Sequence, residues 1–160
     1  FTLSTVGLAP GIRKLTEEAL PVNLAVSLHA ADDELRDRLV PINRRFPLAE
    51  LMAAVRDYAG TTKRRVSIEY ALIDKVNDAP EQAHGLVRLL ENLLCHVNLI
   101  PLNPTAGSPW QPSPRERVDG FQAVLEAAGV PVTVRMRRGI DIEAGCGQLR
   151  RRQLSAVSDS

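Results

Sequence analysis

Cys146 lies in the run Arg138-Gly139-Ile140-Asp141-Ile142-Glu143-Ala144-Gly145-Cys146-Gly147-Gln148-Leu149, a thiol set between two glycines just past a predicted strand. The flanking Gly145 and Gly147 let the backbone take positive φ and let a ligand approach closely, and a cysteine that only fills a core needs neither. Such a placement suits a nucleophilic or group-carrying thiol. The surrounding charge is mixed: Arg135, Arg137 and Arg138 favour the thiolate, while Asp141 and Glu143 oppose it, so the sequence leaves the balance open. The other cysteine, Cys95, stands with His96 at the head of a predicted strand and reads as packing. Two cysteines make neither a zinc spacing nor a disulfide framework, a usage that fits a reducing cytoplasm.

A second set of candidates sits where predicted strands end. In parallel α/β folds and barrels, ligands bind at the carboxyl ends of the strands. The chain places Ser4-Thr5 with Gly7, Ser27-Leu28-His29, and Asn103 of Ile100-Pro101-Leu102-Asn103-Pro104 there, and the last strand feeds the Cys146 loop. Taken singly, a serine or threonine at a strand end is more often a turn or helix cap, and one histidine is more often a hydrogen-bonded structural residue. Their convergence on one rim suits a ligand with amine, carboxylate and ribose groups, which needs donors and acceptors from several strands. Glu69, in the middle of a strand, is expected to point into a barrel interior or to pair with a neighbour. No phosphate-cradling loop or dinucleotide Gly-x-Gly-x-x-Gly is present. A Cys-His-Asp protease lacks a histidine in an obvious partner position. A phosphosugar isomerase lacks both a base pair and a phosphate loop.

The elements that must position these residues follow from the hydrophobic pattern. Short β-rich runs at 1–7, 22–28, 65–73, 96–102 and 132–136 alternate with helical periods at Pro10–Leu20, Asp32–Val40, Pro47–Ala59, Ala79–Leu94 and Pro114–Ala128, several opened by Asp or Pro and one closed by Gly129. Stacked βα units on a parallel sheet, an α/β architecture, result. The proline-rich stretch from Asn103 to Pro114, with the single Trp110, is short enough to be a rim loop rather than a boundary between domains. The segment 150–160 is polar and weakly patterned, which predicts disorder. With 44% hydrophobic and 24% charged residues the chain is globular in type, and a net charge of +1 excludes a strongly basic, non-specific nucleic-acid binder. Local basic clusters remain at Lys63-Arg64-Arg65, at Arg135/Arg137/Arg138 and at Arg150-Arg151-Arg152, positioned to meet phosphate. No apolar run reaches the ~18 residues of a membrane span. The chain opens inside a strand with no initiator Met, which reads as a fragment whose exposed sheet edge predicts poor solubility.

Taken together, Phe1-Thr-Leu-Ser-Thr-Val-Gly7, Leu24-Ala-Val-Ser-Leu-His-Ala30, Leu39-Val-Pro-Ile-Asn43, Val76-Asn-Asp78, the segment from His96 to Pro104 and Cys146-Gly-Gln-Leu149 closely resemble the dual-specificity adenine-C2 RNA methyltransferases of the radical S-adenosylmethionine superfamily. The resemblance spans nearly the whole chain in one register. It implies the later part of a partial (α/β)6 barrel over residues 1–149, ending in the cysteine loop. It implies methylation of C2 of an adenine in 23S rRNA and of an adenine beside the anticodon of tRNA, with a [4Fe-4S] cluster and an electron donor, and no membrane. By position, Ser4, Ser27, Leu28, His29 and Asn103 match residues that contact S-adenosylmethionine, and Cys146 matches the methyl-carrying cysteine. The implied route has two stages. One S-adenosylmethionine methylates the Cys146 sulfur, and a second, cleaved at the cluster, yields the radical that activates this methyl for addition to adenine. A second cysteine then releases the product by forming a disulfide with Cys146. The family's cluster-binding Cys-x3-Cys-x2-Cys, its Gly-Glu motif and that second cysteine are absent from these residues, so the chain alone is expected to be inactive. The usual Asp-Asp-Ile-Asp-Ala-Ala before the cysteine is here Ile140-Asp141-Ile142-Glu143-Ala144-Gly145. Rival readings are the related C8-methylating enzyme and a non-catalytic RNA-binding module.

Overall fold

The computed structural model describes residues 2–18, 22–102 and 106–135. Runs rich in Val, Ile and Thr become five strands, β1 (Thr2–Thr5), β2 (Asn23–Ser27), β3 (Val66–Leu72), β4 (Cys95–Pro101) and β5 (Val132–Val134). Helices α1 (Ala9–Glu18), α2 (Asp33–Leu39), α3 (Leu48–Thr62), α4 (Pro80–Leu89) and α5 (Arg115–Ala127) connect them. Every strand pairs in parallel with the next, and spatial order equals chain order. A sheet without a reversal of strand order is the wall of a barrel, not a doubly wound sheet with a switch point.

Local signals set most of the boundaries. Asp32 caps α2, its carboxylate accepting from the Leu35 amide at 2.8 Å, and Pro80 opens α4 at a position where its missing N–H costs nothing. Gly129 closes α5 at φ +80, and the Val130 amide reaches back to the Leu125 carbonyl at 3.0 Å, the 6→1 bond of a Schellman ending. Two differences from the expected pattern appear. The apolar period continues to Leu94, yet α4 ends at Leu89 and Asn92 takes a left-handed φ of +61. Pro41 opens an additional 3-10 turn over Pro41–Arg44, which a register count after α2 does not reveal.

The parallel register sorts side chains onto two faces. Leu24, Val26 and Leu28, then Ile68 and Tyr70, then Val97 and Leu99 pack with Ile12 of α1, Leu51, Val55 and Tyr58 of α3, Leu86 of α4 and Phe121 of α5 in one core. Each such fully buried aliphatic side chain contributes about 1.5–3 kcal/mol, so this layer holds the sheet together. Helix α2 instead sends Leu35 and Leu39 to Ala71, Ile73 and Leu102 in a smaller cluster, with Trp110 partly buried against it. The opposite face carries Ser27, Ser67, Glu69, His96 and Asn98, with Ala25, Ala71 and Ile100 among them.

Candidate functional site

The ends of β1 and β2 are held by a buried guanidinium. Arg36 of α2 is 0% exposed. Its Nε donates to the Leu28 carbonyl at 2.9 Å, and its Nη2 donates to the carbonyls of Val6 at 2.8 Å and Ser27 at 2.9 Å. Its Nη1 donates to Asn43 Oδ1 at 2.9 Å, and Asn43 in turn donates to Asp33 at 3.0 Å and Asp37 at 2.7 Å. The positive charge is thereby linked to two carboxylates through one amide. Gly7 makes room for it: at φ +123, a Cβ there would stand 3.2 Å from Arg36 Nη2. Arg36 was not singled out in the sequence, since nothing local marks it among the charges of α2.

His29 follows directly. It takes a left-handed φ of +64 and is 3% exposed. Its Nδ1 accepts from the Ala71 amide at 3.0 Å, and its carbonyl accepts from Asn77 Nδ2 at 2.8 Å. Asn77 also holds the Ala71 carbonyl and the Ile73 amide, so one side chain ties the ends of β2 and β3 together. Burial, and secondarily the Arg36 charge, pushes the His29 pKa from 6.5 down to about 3, which keeps the ring neutral and able to accept. Between these values the unfolded chain binds a proton that the folded chain does not, so stability falls as pH falls, by up to about 1.4 kcal/mol per pH unit. His29→Asn, a residue that tolerates positive φ, is expected to flatten that slope. Denaturant titrations at pH 7 and pH 5 measure it, and an unchanged slope in the variant would rule the histidine out as its source.

Register places Ser27, Glu69, Asn98 and Thr133 in one row across the face opposite the main core, and Ser4, Ala25, Ser67 and His96 in the row one step toward the amino end. Ser4 and Ser27 therefore share a face. Leu28 does not: its side chain is in the helix-side core, its amide donates to the Glu69 carbonyl at 2.9 Å, and its own carbonyl is held by Arg36. Thr5 serves as a turn residue, its hydroxyl accepting from the Gly7 amide at 3.1 Å. Asn103 and Cys146 lie outside the described residues, as do Arg137, Arg138 and the segment 150–160. The loop containing Trp110 is pinned to the carboxyl edge by Ser113 Oγ donating to Asp78 at 2.8 Å and by the Asp74 amide donating to the Gln111 carbonyl at 2.8 Å. Lys63-Arg64-Arg65 precedes β3 and so sits at the amino edge, away from these residues, whereas Arg135 follows β5 at the carboxyl edge. Cys95 is buried at the head of β4, as packing requires. No group of three His, Cys, Asp or Glu among the described residues is arranged to hold a metal.

The wall of βα units is shared with solved structures. The chain superposes on a radical SAM methyltransferase from Sphaerobacter thermophilus with a TM-score of 0.84 and 56% identity, covering 92% of this chain and 43% of that one. It also superposes, at 16% identity and a TM-score of 0.64, on a domain of a pyruvate-formate lyase-activating enzyme from Bacteroides vulgatus, a likeness of fold alone. No family model matches the chain. By fold and sequence it belongs to the radical SAM methyltransferases. Curated relatives named "Probable dual-specificity RNA methyltransferase RlmN" are 63% identical over 149 residues in Parafrankia and 55% identical over 155 residues in Chloroflexus aurantiacus, each match covering 93% of this chain. The chain is a member of the RlmN family, and it spans 39% and 41% of the length of those two relatives.

Proposed function

We propose that the protein transfers a methyl group from S-adenosylmethionine to C2 of an adenine in 23S rRNA and of an adenine beside the anticodon in tRNA, in the cytoplasm, with Cys146 as methyl carrier. What supports this reading above all is the 63% identity to a relative bearing the RlmN name. Ser4, Ser27, Leu28, His29 and Asn103 form the S-adenosylmethionine-binding set. In it Ser4 and Ser27 offer hydroxyls from the face opposite the main core, and Leu28 and His29 shape the strand end that Arg36 and Asn77 fix. The polar row and the buried, unpartnered Glu69 Oε2 fit a ligand rich in donors.

S-adenosylmethionine supplies the methyl group and, when cleaved at a [4Fe-4S] cluster by an external electron donor, a hydrogen-abstracting radical. The described residues do not fit the cluster: their one thiol, Cys95, is buried in the helix-side core, and no metal-binding group accompanies it. On this reading the 160 residues alone are inactive, and the contribution of this part is to bind, orient and exclude water. Arg135, at the carboxyl edge, holds the RNA backbone while the base is presented. In the full-length protein, unmodified 23S rRNA is expected to gain one methyl at adenine C2, read by mass spectrometry of the digested product. A methyl at C8 would move the protein to the related C8 enzymes, and tight RNA binding without methylation would make it a binding module.

A further inference from the structure

Among the described residues one buried side-chain oxygen has no hydrogen-bond partner, Glu69 Oε2. A buried acceptor left unmatched is destabilising, and native proteins keep few of them. Its place is specific. Glu69 stands on β3 with Ser27 beside it on β2 and the buried Asn98 beside it on β4, all on the face turned away from the main core. Neither Ser27 nor Asn98 is hydrogen-bonded to that oxygen. A carboxylate has only acceptors to offer, so its match is a donor. Resting on the function proposed above, Ser27 contacts a ligand that carries an ammonium group, two ribose hydroxyls and a sulfonium charge.

We infer that Glu69 is a further binding residue of the S-adenosylmethionine site, its Oε2 accepting from an ammonium or hydroxyl of the ligand beside Ser27. The orphaned oxygen is then a stability cost carried for affinity, and the two quantities separate in one variant. Glu69→Gln keeps the shape while removing the charge and replacing one acceptor by a donor.

The test uses the full-length protein with its cluster reconstituted, measuring S-adenosylmethionine affinity by equilibrium dialysis and the melting temperature without ligand. The expected result is an affinity about 10- to 100-fold weaker with a melting temperature equal to or above wild type. Unchanged affinity in the variant, with wild type binding normally, overturns the role of Glu69 and leaves the proposed function standing. A lowered melting temperature without ligand assigns Glu69 to a pairing elsewhere in the protein and likewise overturns it. Failure of wild type itself to bind S-adenosylmethionine removes the function and this inference together. Should Glu69→Gln not melt cooperatively, Glu69→Asp, which retracts the carboxylate by one methylene, gives the same readings.

Discussion

Arg36→Met is expected to destabilise the protein by about 3–5 kcal/mol, the range for stripping one partner from a buried charged network. The guanidinium satisfies three main-chain carbonyls, those of Val6, Ser27 and Leu28, and the Asn43 side chain. Methionine fills much of the volume but donates to none of them, so each acceptor either stays unmatched or admits water into a fully buried position. Asp33 and Asp37 would lose the cation that Asn43 links them to, although Asp33 keeps its bond from the Leu48 amide at 2.8 Å. Lysine restores the charge but cannot reproduce a planar fork with donors in three directions. Arg36→Lys is therefore expected to recover only part of the loss. Urea unfolding of wild type and both variants measures this. A loss below about 1 kcal/mol for the methionine variant, within the range of ordinary surface changes, would show that the carbonyls find other partners.

The fold was legible because its signals are local. All five strands and five of the helical segments follow from β-branched runs, from Asp32, Pro80 and Pro114 at helix starts, and from Gly129 at a helix end. The overrun of α4 has a simple origin: Leu89, Leu90, Leu93 and Leu94 continue a helical period, but the main chain turns left-handed at Asn92 so that Cys95 can begin β4. The strand-end placement of Ser4 and Ser27 was legible, and the parallel register brings these two to one face. The orientation of Leu28 was not, since alternation alone does not say which parity faces the helices. Arg36 could not be read either. Its burial depends on carbonyls from β1 and β2 that converge only once the sheet has formed, and its one sequence trace is the space left by Gly7.

That the chain holds only two cysteines, Cys95 and Cys146, makes the methyl carrier open to a clean comparison. In the full-length protein Cys146→Ala is expected to abolish adenine methylation, by on the order of 10⁴-fold or more, as for removal of a covalent group that others cannot replace. Cys95→Ala is expected to leave the rate unchanged. Cys95 is 4% exposed in the helix-side core, and burial raises its thiol pKa against the opposing pull of Arg56 and Arg65, so it lacks both the access and the thiolate character that reactivity needs. Its loss should cost about 1 kcal/mol of stability through the small volume removed. Mass spectrometry of RNA digests after a fixed reaction time reads both variants. If Cys95→Ala abolished methylation in a protein that still melted cooperatively, the thiol that releases the product would lie on β4, and the assignment of that step to a cysteine outside these residues would fall. If Cys146→Ala retained the wild-type rate, the methyl would reach adenine without this sulfur, and the glycine-flanked loop would have to be read as a positioning element for RNA.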